Sequence, residues 1–131
     1  MPITAIYVAL SGLLLWALSY RVVRLRGRHK VSLGDGGVVE LARAIRAQGN
    51  FAEYVPLVLF LIILVEIAEY PPALVHLLGG ALVLGRILHG VALGFTAGWR
   101  FGRFWGVFLT WSTLLLGSLL TGYAAVADLI G

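Results

Sequence analysis

Cysteine is absent from this sequence and charge is scarce, with only 12% of its 131 residues being Asp, Glu, Lys or Arg. The first absence excludes disulfides, thiolate-bound zinc and a protein thiol nucleophile, so any thiol chemistry has to be brought by a ligand. It leaves the redox state of the compartment open. The second absence, beside a hydrophobic content of 60%, excludes an ordinary soluble domain, where about a quarter of the residues are charged. A membrane protein remains. Also missing are a basic stretch ahead of the first apolar run and a small-residue cleavage site behind it, since Arg21 follows the run directly. That run reads as an uncleaved first span. No repeat, low-complexity tract or linker divides the chain, so residues 1–131 read as a single domain. The formal charge of +4 does not point to nucleic acid, because the basic residues gather at predicted helix ends and no soluble module presents them.

Four apolar runs carry the rest of the chain. Residues 3–20 are uncharged and, with their ends, span about 30 Å of hydrocarbon; Arg21, Arg24, Arg26, Arg28 and Lys30 stop them. Gly34-Asp35-Gly36-Gly37 marks a loop, with Asp35 positioned to cap the next helix or complement its dipole. Pro56 is expected to kink that second helix without ending it, because neighbouring helices re-satisfy the freed carbonyl. Pro71-Pro72 makes a short turn, and residues 94–102 read as a glycine-punctuated loop before the last helix. The result is an all-α, four-transmembrane-helix up-and-down bundle with helices at about 3–26, 38–68, 73–94 and 103–128. All ten Lys and Arg lie at or near the first and third connections, and Glu66 and Glu69 lie at the second. Both basic loops are therefore expected in the cytoplasm and both termini on the outer side.

Charge inside the spans falls on helices 2 and 3. At roughly 100° per residue, Arg43, Arg46, Asn50 and Glu53 share an arc of about 80°, with Tyr54 beside it. A bilayer centre penalises each ionisable group by about 2.5 kcal/mol or more, so this face belongs in a protein interior or a wet pocket. The topology brings it to one level with Arg24 and Arg26 at the end of helix 1, Arg86 and His89 late in helix 3, and Arg103 at the start of helix 4. Several guanidiniums, an amide and one carboxylate suit a small zwitterion bearing more than one carboxylate, because arginine forks carboxylates and Glu53 accepts from an ammonium. Structural readings stand beside this one. Glu53 pairs with Arg46 or Arg86 only to hold helices in register, Arg86 snorkels or bridges subunits, and His89 ties two helices together. A metal site is not expected, since His29, His76 and His89 share no helix face. Trp16, Trp99, Trp105 and Trp111 read as interfacial belt or packing residues.

The spaced motif Arg46-x-Gln48-x-Asn50-x-x-Glu53-Tyr54-x-Pro56, followed by Gly85-Arg86-x-x-His89, resembles the MAPEG family, the membrane-associated proteins in eicosanoid and glutathione metabolism. The Val23-Arg24-Leu25-Arg26 end of helix 1 and the Gly34–Gly37 loop resemble its short bacterial branch, and the likeness covers nearly the whole chain. It implies a homotrimer in a bacterial inner membrane, binding glutathione between subunits near the cytoplasmic side. By motif it assigns glutathione contacts to Arg24, Arg46, Asn50, Glu53, Tyr54, Arg86 and His89. Arg103 matches the arginine that stabilises the glutathione thiolate, with Arg100 as the alternative because the loop length differs. Leu93 stands where several members carry tyrosine. The implied activity is a glutathione-dependent transferase or peroxidase acting on lipophilic electrophiles drawn from the lipid. A non-catalytic binding or scaffold protein is the alternative. A small transporter or channel fits less well, because no polar track crosses the outer half of the bundle.

Overall fold

The computed structural model describes residues 2–130, and four helices hold nearly all of them: α1 (Pro2–His29), α2 (Val39–Ile67), α3 (Pro72–Gly94) and α4 (Arg100–Ile130). Each is long and apolar enough to cross a membrane. The spacing of small and apolar residues sets which face each helix buries. In α1 the buried positions Thr4, Ser11, Leu18 and Leu25 recur every seven residues, which keeps one face on its neighbours along the whole length. In α2 the stripe is Ala47, Phe51, Val55, Val58, Ile62 and Val65. In α3 it begins with Val75, Leu78 and Leu82 and continues without a break into Gly85, Arg86 and His89. These stripes meet in the core between α2 and α3. The outer pair flank them: α1 packs on α2 and α3, α4 packs on α3 and α2, and among the described residues the α1 and α4 backbones do not approach each other.

The α4 seam is made of small residues, Gly102, Gly106, Thr110, Thr113 and Gly117. Lipid offers little hydrophobic drive for helix association, so close backbone approach matters more. At Gly106 the approach is extreme, because an added Cβ would lie 2.7 Å from His89 N and 2.8 Å from Gly85 O. No side chain fits there. At the end away from the basic loops, the Glu66 carboxylate on α2 closes the start of α1, accepting from Ile3 N (3.1 Å), Thr4 N (2.9 Å) and the Thr4 hydroxyl. Nearby, Tyr7 Oη sits 2.9 Å from His76 Nδ1, which joins α1 to α3.

Three expectations change. α1 does not stop in its arginine run but continues to His29, since arginine is a good helix former and its long stem lets the cation reach water from a helix still in contact with its neighbours. Asp35 does not cap α2; its Oδ1 accepts from Gly37 N (2.9 Å), its carbonyl accepts from Val38 N (2.9 Å), and Val38 holds the cap position without a side-chain bond. Gly36 and Gly37, both at positive φ, make so tight a turn that the carboxylate is used inside it. α4 begins at Arg100, so Arg103 does not open it and its N–H is already bonded to Trp99 O at 3.2 Å. Gly102 lies inside α4, and the Trp99 ring folds onto it where an added Cβ would collide with the ring. The loop shrinks to residues 95–99. As expected, α2 continues through Pro56 and ends only at Ile67.

Candidate functional site

The core stripe of α3 carries Arg86 inward, leaving it 2% exposed. One terminal nitrogen donates to Asn50 Oδ1 on α2 (2.7 Å) and lies 3.0 Å from His89 Nδ1; the other donates to Thr110 Oγ1 on α4 (3.3 Å). Guanidinium nitrogens only donate, so the His89 contact needs an Nδ1 lone pair and puts the imidazole proton on Nε2. Thr110 in turn donates to Gly106 O (2.8 Å), which fixes its oxygen toward Arg86. The Phe51 ring lies 5.8 Å from the guanidinium carbon. Arg86 Nε has no hydrogen-bond partner among the described residues. Every partner of this buried cation among the described residues is neutral, which is a costly arrangement in a low-dielectric interior.

On the outer face of α2, Arg46 and Glu53 form a bidentate pair, Nη1 to Oε1 at 2.7 Å and Nη2 to Oε2 at 3.1 Å. Their side chains are 57% and 53% exposed, so the pair projects away from the protomer's core. Between this face and α4, Asn50, Tyr54, Arg86, Val107, Thr110 and Trp111 line a cavity of about 80 Å³. Val107 and Trp111 also line an open groove of about 450 Å³ whose other walls are Arg100, Arg103, Phe104 and Phe108. The two hollows thus share the Val107 and Trp111 walls, one holding the buried guanidinium and the other two arginines and an aromatic shelf.

Of the residues expected at the site, Asn50, Tyr54, Arg86 and His89 come together, and Arg100 and Arg103 stand at the mouth. Arg46 and Glu53 lie on the adjoining face and engage each other. Among the described residues Arg24 is exposed on α1, without a hydrogen bond or ion pair, and the α1 backbone does not approach that of α4. A single chain therefore does not bring Arg24 to the Arg86 cavity. Arg26 is used locally, donating to Gly34 O at 2.7 Å. Arg43 leaves the arc it shares with Arg46 and lines a separate groove beside the end of α3, because an arc of about 80° is wide enough to face two neighbours. Gln48 donates to Ser19 Oγ (2.8 Å) and ties α2 to α1. Thr110 was not among the expected residues; the available signal was its position in the small-residue seam, four residues after Gly106. Among the described residues no three His, Asp or Glu side chains gather as a metal site would require.

Residues 4–123 match the MAPEG family. The chain belongs to that family. Over 114 residues it is 40% identical to the inner membrane protein YecN of Escherichia coli (strain K12), an alignment that covers 87% of this chain and 86% of the relative. The YecN protein of Escherichia coli O6:H1 (strain CFT073) matches to the same extent. This MAPEG protein is accordingly a multi-pass, all-α membrane bundle. Its buried cation with neutral partners and the neighbouring groove of arginines and aromatic rings suit an anionic ligand with an apolar neighbour.

Proposed function

We propose that the protein binds glutathione and uses it as the thiol donor of a transferase or peroxidase acting on lipophilic electrophiles, as a homotrimer in the bacterial inner membrane with its basic loops cytoplasmic. The observation that carries this reading is Arg86, a buried cation with neutral partners and an Nε unbonded among the described residues, lining a cavity next to an open groove. A glutathione carboxylate would supply the missing anion, the exposed Arg46–Glu53 pair would exchange partners with a second carboxylate and the ligand ammonium, and Asn50 would accept or donate along the peptide. Support for the trimer comes from Arg24 and the Arg46–Glu53 face, both of which point away from the protomer's own core and would complete a site against another subunit.

For chemistry, the bound thiol has to be ionised. Lowering a thiol from about 8.5 by two units takes about 2.7 kcal/mol of differential stabilisation, which an adjacent guanidinium and a helix N-terminus supply together. Arg103 keeps its cation at the groove, while the free first-turn amides belong to Arg100 through Gly102, so the two arginines compete for the role. The aromatic shelf of Phe104, Phe108 and Trp111 would receive the lipophilic substrate from the bilayer. A non-catalytic MAPEG-fold binding protein is the second reading, and the closed Arg46–Glu53 pair favours it, because that pair already satisfies its own charges.

Calorimetry with glutathione, followed by a chromogenic electrophile assay in detergent, tests both. The parent is expected to bind and to conjugate, and Arg103→Ala to raise the pH at which thiolate absorbance appears more than it weakens binding. If only Arg100→Ala moves that titration, Arg100 holds the role. Binding without turnover selects the second reading, and no binding removes both.

A further inference from the structure

Away from the Arg86 recess, the basic end of the bundle has a second groove, of about 340 Å³, where the ends of α1 and α3 meet the start of α2. Its charged walls are Arg21, Glu40 and Arg43, and its apolar walls include Val39, Leu93 and Phe95. Arg21 is engaged on three sides: Nε donates to Gly94 O, a terminal nitrogen pairs with Glu40 Oε1 at 3.0 Å, and the guanidinium lies 4.4 Å from the centre of the Phe95 ring. Glu40 also has His29 Nε2 at 3.8 Å. With Arg21 and Glu40 cancelling, the groove is left with one unanswered cation, Arg43, which is half-buried and has no hydrogen bond or ion pair among the described residues.

The lip of the groove is apolar and open, with Val39 65% and Phe95 52% exposed. Arg21 is the first charged residue after the uncharged run of α1, and one turn earlier the stacked Trp16–Tyr20 pair, centroids 5.6 Å apart, faces outward. An exposed aromatic pair next to the first arginine marks the level where hydrocarbon gives way to headgroups. A free anion would gain nothing from Val39 and Phe95, whereas a lipid would use the cation and the lip together. Basic pockets between transmembrane helices on the cytoplasmic side are the usual form of such sites.

We propose that this groove is a binding site for the headgroup of an acidic phospholipid, with the phosphate on Arg43 and the start of the acyl chains against Val39 and Phe95. The site is separate from the recess considered for glutathione and does not depend on that reading. The test is native mass spectrometry of protein in neutral detergent, titrated with phosphatidylglycerol or phosphatidylcholine, in the parent and in Arg43→Gln, Arg43→Lys and Arg28→Gln. The parent is expected to retain phosphatidylglycerol over phosphatidylcholine by roughly tenfold, because both phosphates accept from Arg43 but only phosphatidylcholine carries a cation that the unpaired guanidinium repels. Arg43→Gln should lose that preference, Arg43→Lys should keep most of it, and Arg28→Gln, which removes the same charge from the exposed end of α1, should keep it all. Equal loss in Arg28→Gln and Arg43→Gln would overturn the proposal in favour of general charge attraction. Displacement of the lipid by millimolar inorganic phosphate would overturn the lipid assignment, and equal retention of phosphatidylcholine would overturn both parts. Glutathione binding by Arg43→Gln, read on the same sample, should match the parent, which separates this site from the other.

Discussion

Glu66 and Arg86 are both ionisable groups inside a membrane bundle, near its opposite ends, and the protein treats them differently. Glu66 is met by donors suited to a carboxylate: two backbone amides and a hydroxyl at the start of α1. Its charge completes a helix terminus that would otherwise leave those amides without acceptors. Arg86 is held by an amide, an imidazole and a hydroxyl, with no carboxylate among the described residues and one nitrogen unbonded. The first charge closes the fold. The second is oriented but left electrically open, at a place where a recess begins. A buried charge that finishes a helix and one that finishes nothing are distinguished by their partners, not by their burial.

The contrast breaks most severely if the frame around Arg86 is forced apart. Gly106→Ala puts a methyl against His89 N and Gly85 O, and backbone there has no rotamer to change. Overpacking of this kind costs about 1–3 kcal/mol and sometimes more, so the variant should melt well below the parent in detergent and lose Thr110 and His89 as supports for Arg86. An unchanged melting temperature would mean that the α3–α4 crossing is looser than these distances allow. Arg86→Met sharpens the comparison next. If the guanidinium exists for a ligand, glutathione affinity should fall roughly 10- to 100-fold while thermal stability holds or rises, because a well-packed apolar residue replacing a buried charge is often neutral or stabilising by about 1–4 kcal/mol. Loss of stability with affinity intact would make Arg86 a structural residue like Glu66. The smallest expected effect is Glu66→Gln, which weakens a helix cap and should cost about 0.5–2 kcal/mol of stability with no change in glutathione affinity. A loss of affinity there would dissolve the distinction.

Much of this was legible before any coordinates. Uncharged runs of span length can be read directly, and residues 39–67 carry both their apolar stripe and their interruptions in plain view. Asn50, Arg86 and His89 stood out because charge and amide within apolar helices are few, and they do meet. Glu66 was visible only as an acidic residue near a turn, since its partners lie more than sixty positions earlier and nothing local announces them. Gly102 misled in the opposite way. Glycine commonly breaks a helix, yet here it lies inside α4 with the Trp99 ring against it, and Arg103 loses its place at the terminus. Helical phase alone could not separate Arg43 from Arg46, because which neighbour each edge of an arc faces depends on packing.

The carboxylate that closes α1 has a consequence for the order in which the chain can assemble. α1 is completed by residue 66, near the end of α2, the helix that follows it in the chain. Until α2 has crossed the bilayer and delivered that side chain, the amides of Ile3 and Thr4 must find water or headgroups. α1 and α2 therefore mature as a hairpin, and a ribosome paused before residue 66 would hold an α1 whose first turn has not yet received its partner.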